Sequence, residues 1–201
     1  MTDAVAPAMA YILAAGLDVA VTYEEGGGVA GPGMPLPGLA PNTVVFRVDE
    51  DGYQVKAGAV KITPTTNLLN NANPWVALRV QNLNIPKGAT IQDAHLEVKC
   101  ATYDDPKALI YCQDSSSPAA LSTATTNISG RTLTATSTNW TASNIGVGTT
   151  TYRNSVSFAP QVQAVIGRDD WVQATSDLVV ILSNITGGNL KFYSGNSGTA
   201  N

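Results

Sequence analysis

The stretch that most limits what this chain can become is Asn84 to Cys112, NIPKGATIQDAHLEVKCATYDDPKALIYC. Pro86-Lys87-Gly88 is a turn, since Pro fixes φ and Gly accepts positive φ. Beyond it Ala94, Leu96, Val98 and Cys100 fall on one side of an extended chain, and His95, Glu97 and Lys99 fall on the other. Period two is the pattern of a strand with one face on a core and one in water. Asp104-Asp105-Pro106 breaks the run and Ala108–Cys112 resumes it, which reads most simply as an antiparallel hairpin. Cys100 and Cys112 flank that turn. They read either as two small buried thiols or as a pair opposed across the hairpin, a disulfide needing an oxidising compartment and a specific geometry. With a single His in the chain they make no zinc site.

The same grammar runs on to the C-terminus. Strands are predicted at 44–48, 53–55, 60–63, 75–81, 91–102, 108–113, 128–136 (with Leu133 and Ala135 inward), 155–158, 178–183 and 190–193. Residues 49–52 read as an acidic turn and 63–74 as a long polar loop. One helical segment, 159–167, has Val162, Val165 and Ile166 at helical spacing and a stop at Gly167. Short strands with turn signals between them specify an all-β antiparallel sandwich, a jelly roll of about eight strands, over residues 42–201.

The leading residues do not follow that grammar. In residues 1–25, Pro7 suits a helix start, Met9, Ile12, Leu13 and Leu17 keep helical spacing, and Gly16 suits a helix end. Asp18–Tyr23 then alternates like a short strand. This piece is far below the roughly 60 residues of a self-sufficient domain, so its apolar residues need a partner surface, either its own sandwich or another protein. Residues 26–41 hold ten Gly or Pro in sixteen without a three-residue period, the composition of an extended linker. The expectation is an N-terminal anchoring module with a short helix, binding protein neighbours through Met9, Ile12, Leu13, Leu17 and Val19.

Charged residues make up 13% of the chain, about half the usual share of roughly 25%. Ser, Thr, Asn and Gly take their place, as in proteins that work outside a cytoplasm. The net charge is −4 and there is no basic cluster, so nucleic acid is not an expected partner. The apolar run 4–21 carries Pro7, Gly16 and Asp18 and is too short for a span of about 20 residues, so no membrane is expected either. The first basic residue is Arg47, so no secretory leader is expected. An outside-type composition without a leader fits a processed fragment, or a particle assembled inside a cell that works outside it.

Three blocks, VALRVQNLNIPKGATIQDAHLEV, TNISGRTLTATSTNW and FAPQVQAVIGRDDWVQATSDLVVILSN, occur in an order and spacing that resembles a jelly-roll domain of the carbohydrate-binding-module type, found in secreted multi-domain bacterial and archaeal proteins. The matching residues are Leu78-Arg79, Ile85-Pro86, Gly88–Ile91, Ala94, Asn127-Ile128-Ser129, Arg131-Thr132, Trp140, Arg168 and Trp171, within residues 42–195. The resemblance implies a non-catalytic adhesive or structural module, with Trp140 and Trp171 in the core. It also implies a structural Ca²⁺ at Asp49 and Asp51, whose plain reading is a solvated turn; no other cofactor is expected. The family ends with one more strand after a YdG turn. Here Tyr193-Ser-Gly195 is present and that strand is not; either the sequence is truncated or the strand comes from elsewhere, and the seat beside 190–193 is expected to be filled by the N-terminal module, a neighbouring subunit or another partner.

No constellation of an enzyme is legible. His95 is the lone histidine and its parity puts it on a polar strand face. Trp75 follows the polar loop and is either a glycan-stacking platform or a core residue at a strand start. The reading that unites these features is a non-enzymatic structural protein. It would be a virion-surface subunit of capsid-decoration or fibre type, homo-oligomeric or bound to like neighbours through its arm. The other reading is an extracellular carbohydrate-binding or adhesive module.

Overall fold

The structure is a computed structural model that describes residues 17–24, 42–62, 64–104, 107–141, 152–186 and 188–194. These form twelve strands and one helix. The strands are β1 (Asp18–Glu24), β2 (Asn42–Arg47), β3 (Glu50–Gln54), β4 (Val60–Ile62), β5 (Thr66–Leu69), β6 (Trp75–Val80), β7 (Thr90–Asp104), β8 (Lys107–Cys112), β9 (Thr138–Thr141), β10 (Tyr152–Asn154), β11 (Leu178–Thr186) and β12 (Asn189–Tyr193). The helix is α1 (Ala159–Ile166), between β10 and β11.

Two antiparallel sheets make the predicted all-β sandwich. The first runs β2-β1-β7-β12-β5, with β10 also on β7, and the second runs β4-β3-β6-β11-β8-β9. The alternation along β7 holds. Ala94, Leu96, Val98 and Cys100 are buried in the core between the sheets, while His95, Glu97 and Lys99 stay half-exposed on the outer face. The second sheet is covered on both faces, which is why β11 is so uniformly apolar. Its Leu178, Val180 and Leu182 enter the main core, whereas Val179 and Ile181 join an outer cluster with Val60, Ala77, Leu121 and Ile128.

Helix α1 packs on β7 and β8. Pro160 sits in its first turn, where a missing N–H costs nothing, and it stops at Gly167, whose N–H reaches the Gln163 carbonyl. The Gln163 side chain also accepts from the Ile91 N–H at 2.8 Å and donates to the Ala89 carbonyl at 3.1 Å, tying the helix to the start of β7. Trp171 is buried and its indole N–H donates to the Ile85 carbonyl at 2.9 Å; Trp140 is buried too.

Several expectations are corrected. The 84–112 unit is not a hairpin. β7 pairs in the first sheet and β8 in the second, so the two strands belong to opposite layers. Period-two alternation cannot separate a hairpin from such an arrangement, because each puts one face of both strands on a core. Cys100 and Cys112 therefore lie in opposite sheets as buried thiols that form no disulfide, and burial pushes the Cys112 thiol far up.

The supposed polar loop 63–74 contains β5, and β5 occupies the free edge of β12, with Leu69 opposite Leu190. The seat expected to need a foreign strand is thus filled from within. The acidic turn at 49–52 is largely strand β3. Gly52 fits there because a Cβ would stand 2.6 Å from the Lys61 carbonyl oxygen on β4. Residues 128–136 are turns rather than a strand, with a single bridge from Leu133 to Gln113 and Ala135 exposed. Residues 155–158 are not a strand either. They follow β10 along β7 through bonds from the Ser155 N–H to the Leu96 carbonyl and from the Phe158 N–H to the Ala94 carbonyl.

The largest correction concerns the N-terminus. β1 lies between β2 and β7, and Leu17, Val19, Val21 and Tyr23 fill the main core, the first three with no exposure. The sandwich therefore includes residues 17–24 and does not begin at 42. An alternating strand finds its lowest-energy seat in a sheet that can pair both its edges.

Candidate functional site

The most organised surface is the loop system 113–136 that covers the outer apolar cluster of the second sheet. Its centre is Arg131. The guanidinium Nε donates to the Asn127 carbonyl at 2.9 Å. One terminal nitrogen donates to Gln113 Oε1 (2.6 Å) and the Ala119 carbonyl (2.9 Å), the other to the Ala120 carbonyl (3.0 Å) and Asn127 Oδ1 (3.2 Å). A guanidinium has five N–H groups, so all are committed. None of these acceptors is a carboxylate. Burial, with Arg79 nearby and Glu50 opposing, pulls the Arg131 pKa below its ordinary value.

The loop is pinned to the sheet by two polar residues. Gln54 at the end of β3 donates through Nε2 to Ser129 Oγ at 2.7 Å, and its Oε1 accepts the N–H groups of Ile128 (3.1 Å) and Ser129 (2.9 Å). Glu50 accepts the Leu121 N–H at 2.9 Å and pairs with Arg79, which also donates to Asp177 at 2.7 Å. Thr126 holds φ at 61°, costly for a β-branched residue. It is fixed by its N–H donating to Gly58 and by its carbonyl accepting from Gly130, both at 2.8 Å. Beside Arg131 lies a shallow, open pocket of about 460 Å³, walled by Gln113, Thr125, Asn127, Thr132 and the loop backbone.

The residues predicted as sites fall elsewhere. Leu17 and Val19 are core residues of their own chain and cannot serve as partner contacts while β1 is seated. Met9, Ile12 and Leu13 lie outside the described residues. Trp75 is half-buried and packs on the outer cluster of the second sheet, so it is not an open stacking platform.

Asp49 and Asp51 part company. Asp49 is exposed and accepts the Gln81 N–H at 2.8 Å. Asp51 is 2% exposed and accepts from Asn67 Nδ2 at 2.7 Å and Ser194 Oγ at 2.9 Å. Asn67 Oδ1 is a buried oxygen without a hydrogen-bond partner, the kind of atom a cation could use. Yet the two aspartates do not converge, and no group of three His, Cys, Asp or Glu does so among the described residues. The pair does not fit a Ca²⁺ cage.

His95 sits between two carboxylates on the outer face of β7, with Nδ1 2.8 Å from Asp93 Oδ2 and Nε2 3.6 Å from Glu97 Oε1. Burial tends to raise the Asp93 pKa, but hydrogen bonds from Ser157 and His95 outweigh it and hold the carboxyl below its usual range. Across the ladder Asp18 stands opposite both Glu97 and Arg47. Burial first, then Glu97, pushes Asp18 up to about 6, against the pull of Arg47.

The sequence reading did not see Gln54 or the fork of Arg131. The signal available was a pair of polar residues at Asn127 and Arg131 inside an otherwise Thr/Ser-rich run. No protein-family model, no curated protein and no solved structure matches the chain.

Proposed function

We propose that this chain is a non-enzymatic structural module, a virion-surface subunit of capsid-decoration or fibre type that displays the sandwich outward. The observation that carries this reading is the use made of its charged side chains. Arg131 locks loop 113–136, Arg79 ties Glu50 to Asp177, and Arg168 joins Asp114 to Asp170. Such networks make loops rigid, which suits display on a particle.

The path of the N-terminus adds support. Residues 1–16 precede Leu17 and the interior strand β1 in the sequence, so a load on an anchor there would reach the sandwich through β1. The ladders to β2 and β7 would share that load. Met9, Ile12 and Leu13 are the anchor residues this reading retains, and the neighbours they would bind are capsid or like subunits.

The second reading is an extracellular carbohydrate-binding or adhesive module, in keeping with the family resemblance. The hydroxyl-walled pocket beside Arg131 favours it, in place of Trp75. Native mass measurement of the full chain and of an Ile12→Asp/Leu13→Asp variant tests the first reading. Assemblies that the variant loses are expected. A full chain that stays monomeric at high concentration and binds a glycan array, with binding lost in Thr125→Ala/Thr132→Ala, would overturn it for the second.

A further inference from the structure

We propose that β1 is an exchangeable strand, seated either in its own sandwich or, reciprocally, in that of a second copy of this chain. The inference rests on the reading of the chain as an assembly subunit and names the contact between copies.

The seat is one that must be filled. β1 pairs with β2 from Asp18↔Arg47 to Tyr23↔Asn42 and with β7 from Asp18↔Glu97 to Glu24↔Thr90. Without it, the paired edges of β2 and β7 lose their ladder and four core positions, at Leu17, Val19, Val21 and Tyr23, stand empty. Open edges and empty core positions are costly, so a vacated seat takes an identical strand from another copy. The contacts made are the same in either arrangement, so the connection between β1 and β2 decides which forms.

That connection is far longer than its own chain needs. Tyr23 and Asn42 are cross-strand neighbours, a step that hairpins make with about 2–5 residues. Seventeen residues, 25–41, separate the two strands, and ten of those in 26–41 are Gly or Pro. Fully extended, they reach roughly 56 Å. A folded chain of this length has a radius of gyration of about 16 Å, so the reach covers the distance to an adjoining copy. β1 is also joined to the described body only at its C-terminal end, so a single connection has to move. Asp18 beside Glu97 adds a like-charge contact that eases departure from the seat.

Thr22 and Thr43 give a direct test, because their hydroxyl oxygens are 2.9 Å apart across the β1–β2 ladder. The full chain carrying Thr22→Cys/Thr43→Cys is oxidised and run denatured without reductant. Exchange links two chains, and a strand in its own body links only one. The expected result is a covalent dimer band. Its ratio to the intrachain product should rise about tenfold per tenfold increase in protein concentration while monomer predominates.

Deleting residues 28–37 in the same background leaves seven connecting residues, with a reach of roughly 23 Å. This still closes the hairpin, and the dimer band should vanish while the intrachain link persists. Intrachain product alone at every concentration overturns the proposal, as does a dimer band that survives the deletion. Adding Ile12→Asp/Leu13→Asp separates the two readings. Exchange predicts that the dimer band remains while larger assemblies are lost. Large assemblies with intrachain links alone would keep the assembly reading and remove the exchange.

Discussion

Gln54 and Ser129, 75 positions apart, are joined through both ends of one side-chain amide: Gln54 Nε2 donates to Ser129 Oγ at 2.7 Å and its Oε1 accepts the Ser129 N–H at 2.9 Å. The same Oε1 takes the buried N–H of Ile128. One residue of the second sheet therefore satisfies two backbone donors of a loop that has no ladder of its own. Gln54→Leu fills a similar volume and strands both donors, each worth about 1–3 kcal/mol when buried and unpaired. A loss of about 2–4 kcal/mol is expected in denaturant unfolding, the two effects being coupled. Hydrogen exchange should show protection lost first at Ile128 and Ser129. Unchanged protection there would remove Gln54 from this role.

Arg131 is a matter of geometry rather than charge. Its acceptors are four carbonyl-type oxygens of Asn127, Ala119, Ala120 and Gln113 and the Asn127 side chain, so any cation would satisfy the electrostatics equally. Lysine keeps the charge but offers three donors from a point, against a planar fork of five. Arg131→Lys is expected to leave at least two acceptors unpaired and to cost about 1–3 kcal/mol, with proteolysis appearing inside 113–136. Wild-type melting of the lysine variant would show that charge alone suffices.

The sandwich was legible because its strongest signals are local. Parity along β7 and the apolar run of β11 each follow from which faces are covered. What was not legible depends on pairings between distant residues. β5 sits among Asn and Thr residues that look like loop until Leu69 finds Leu190. β7 and β8 show identical alternation whether they share a sheet or face each other across the core. Trp75 could be read as a platform or as a strand-start core residue, because the loop that covers its cluster, 113–136, is distant in sequence. The role of β1 was hidden for the same reason. Its alternation was visible, but only the structure gives the partners, His95 and Val45, that flank Ala20.

The seat of β1 carries its own pH dependence. Asp18 titrates near 6 in the folded chain, against an ordinary value of 3.8. The folded state therefore holds a proton that the unfolded state has already released between those two values. Stability from this group is fully present below about 3.8 and is lost as pH rises through about 6. Asp18→Asn removes the titration. The stability difference, variant minus native, should grow from pH 4 to about 6 and then level off, with the variant the more stable above that point. Asp93 and Asp170, whose pKa values are lowered, lose their contribution in acid in both proteins and cancel in the difference. A flat difference across the window would mean that Arg47 neutralises Asp18 completely.

Asp51 joins the two sheets through its carboxylate. It projects from β3 of the second sheet and accepts from Asn67 on β5 and from Ser194 after β12, both of the first sheet. A buried carboxylate with committed donors behaves as a brace between the layers. Asp51→Asn would turn an amide N–H₂ toward one of those donors, because Asn offers only one acceptor oxygen where Asp offers two. The expected cost is about 1–3 kcal/mol, seen as a lower melting temperature. The brace and a Ca²⁺ cage differ in what added metal does. With the carboxylate oxygens held by Asn67 and Ser194 and Asp49 turned to solvent, neither Ca²⁺ nor a chelator should move the melting point of the native chain. A Ca²⁺-dependent rise that disappears in Asp51→Asn would instead place a metal among these oxygens, with the orphaned Asn67 Oδ1 as its natural additional ligand.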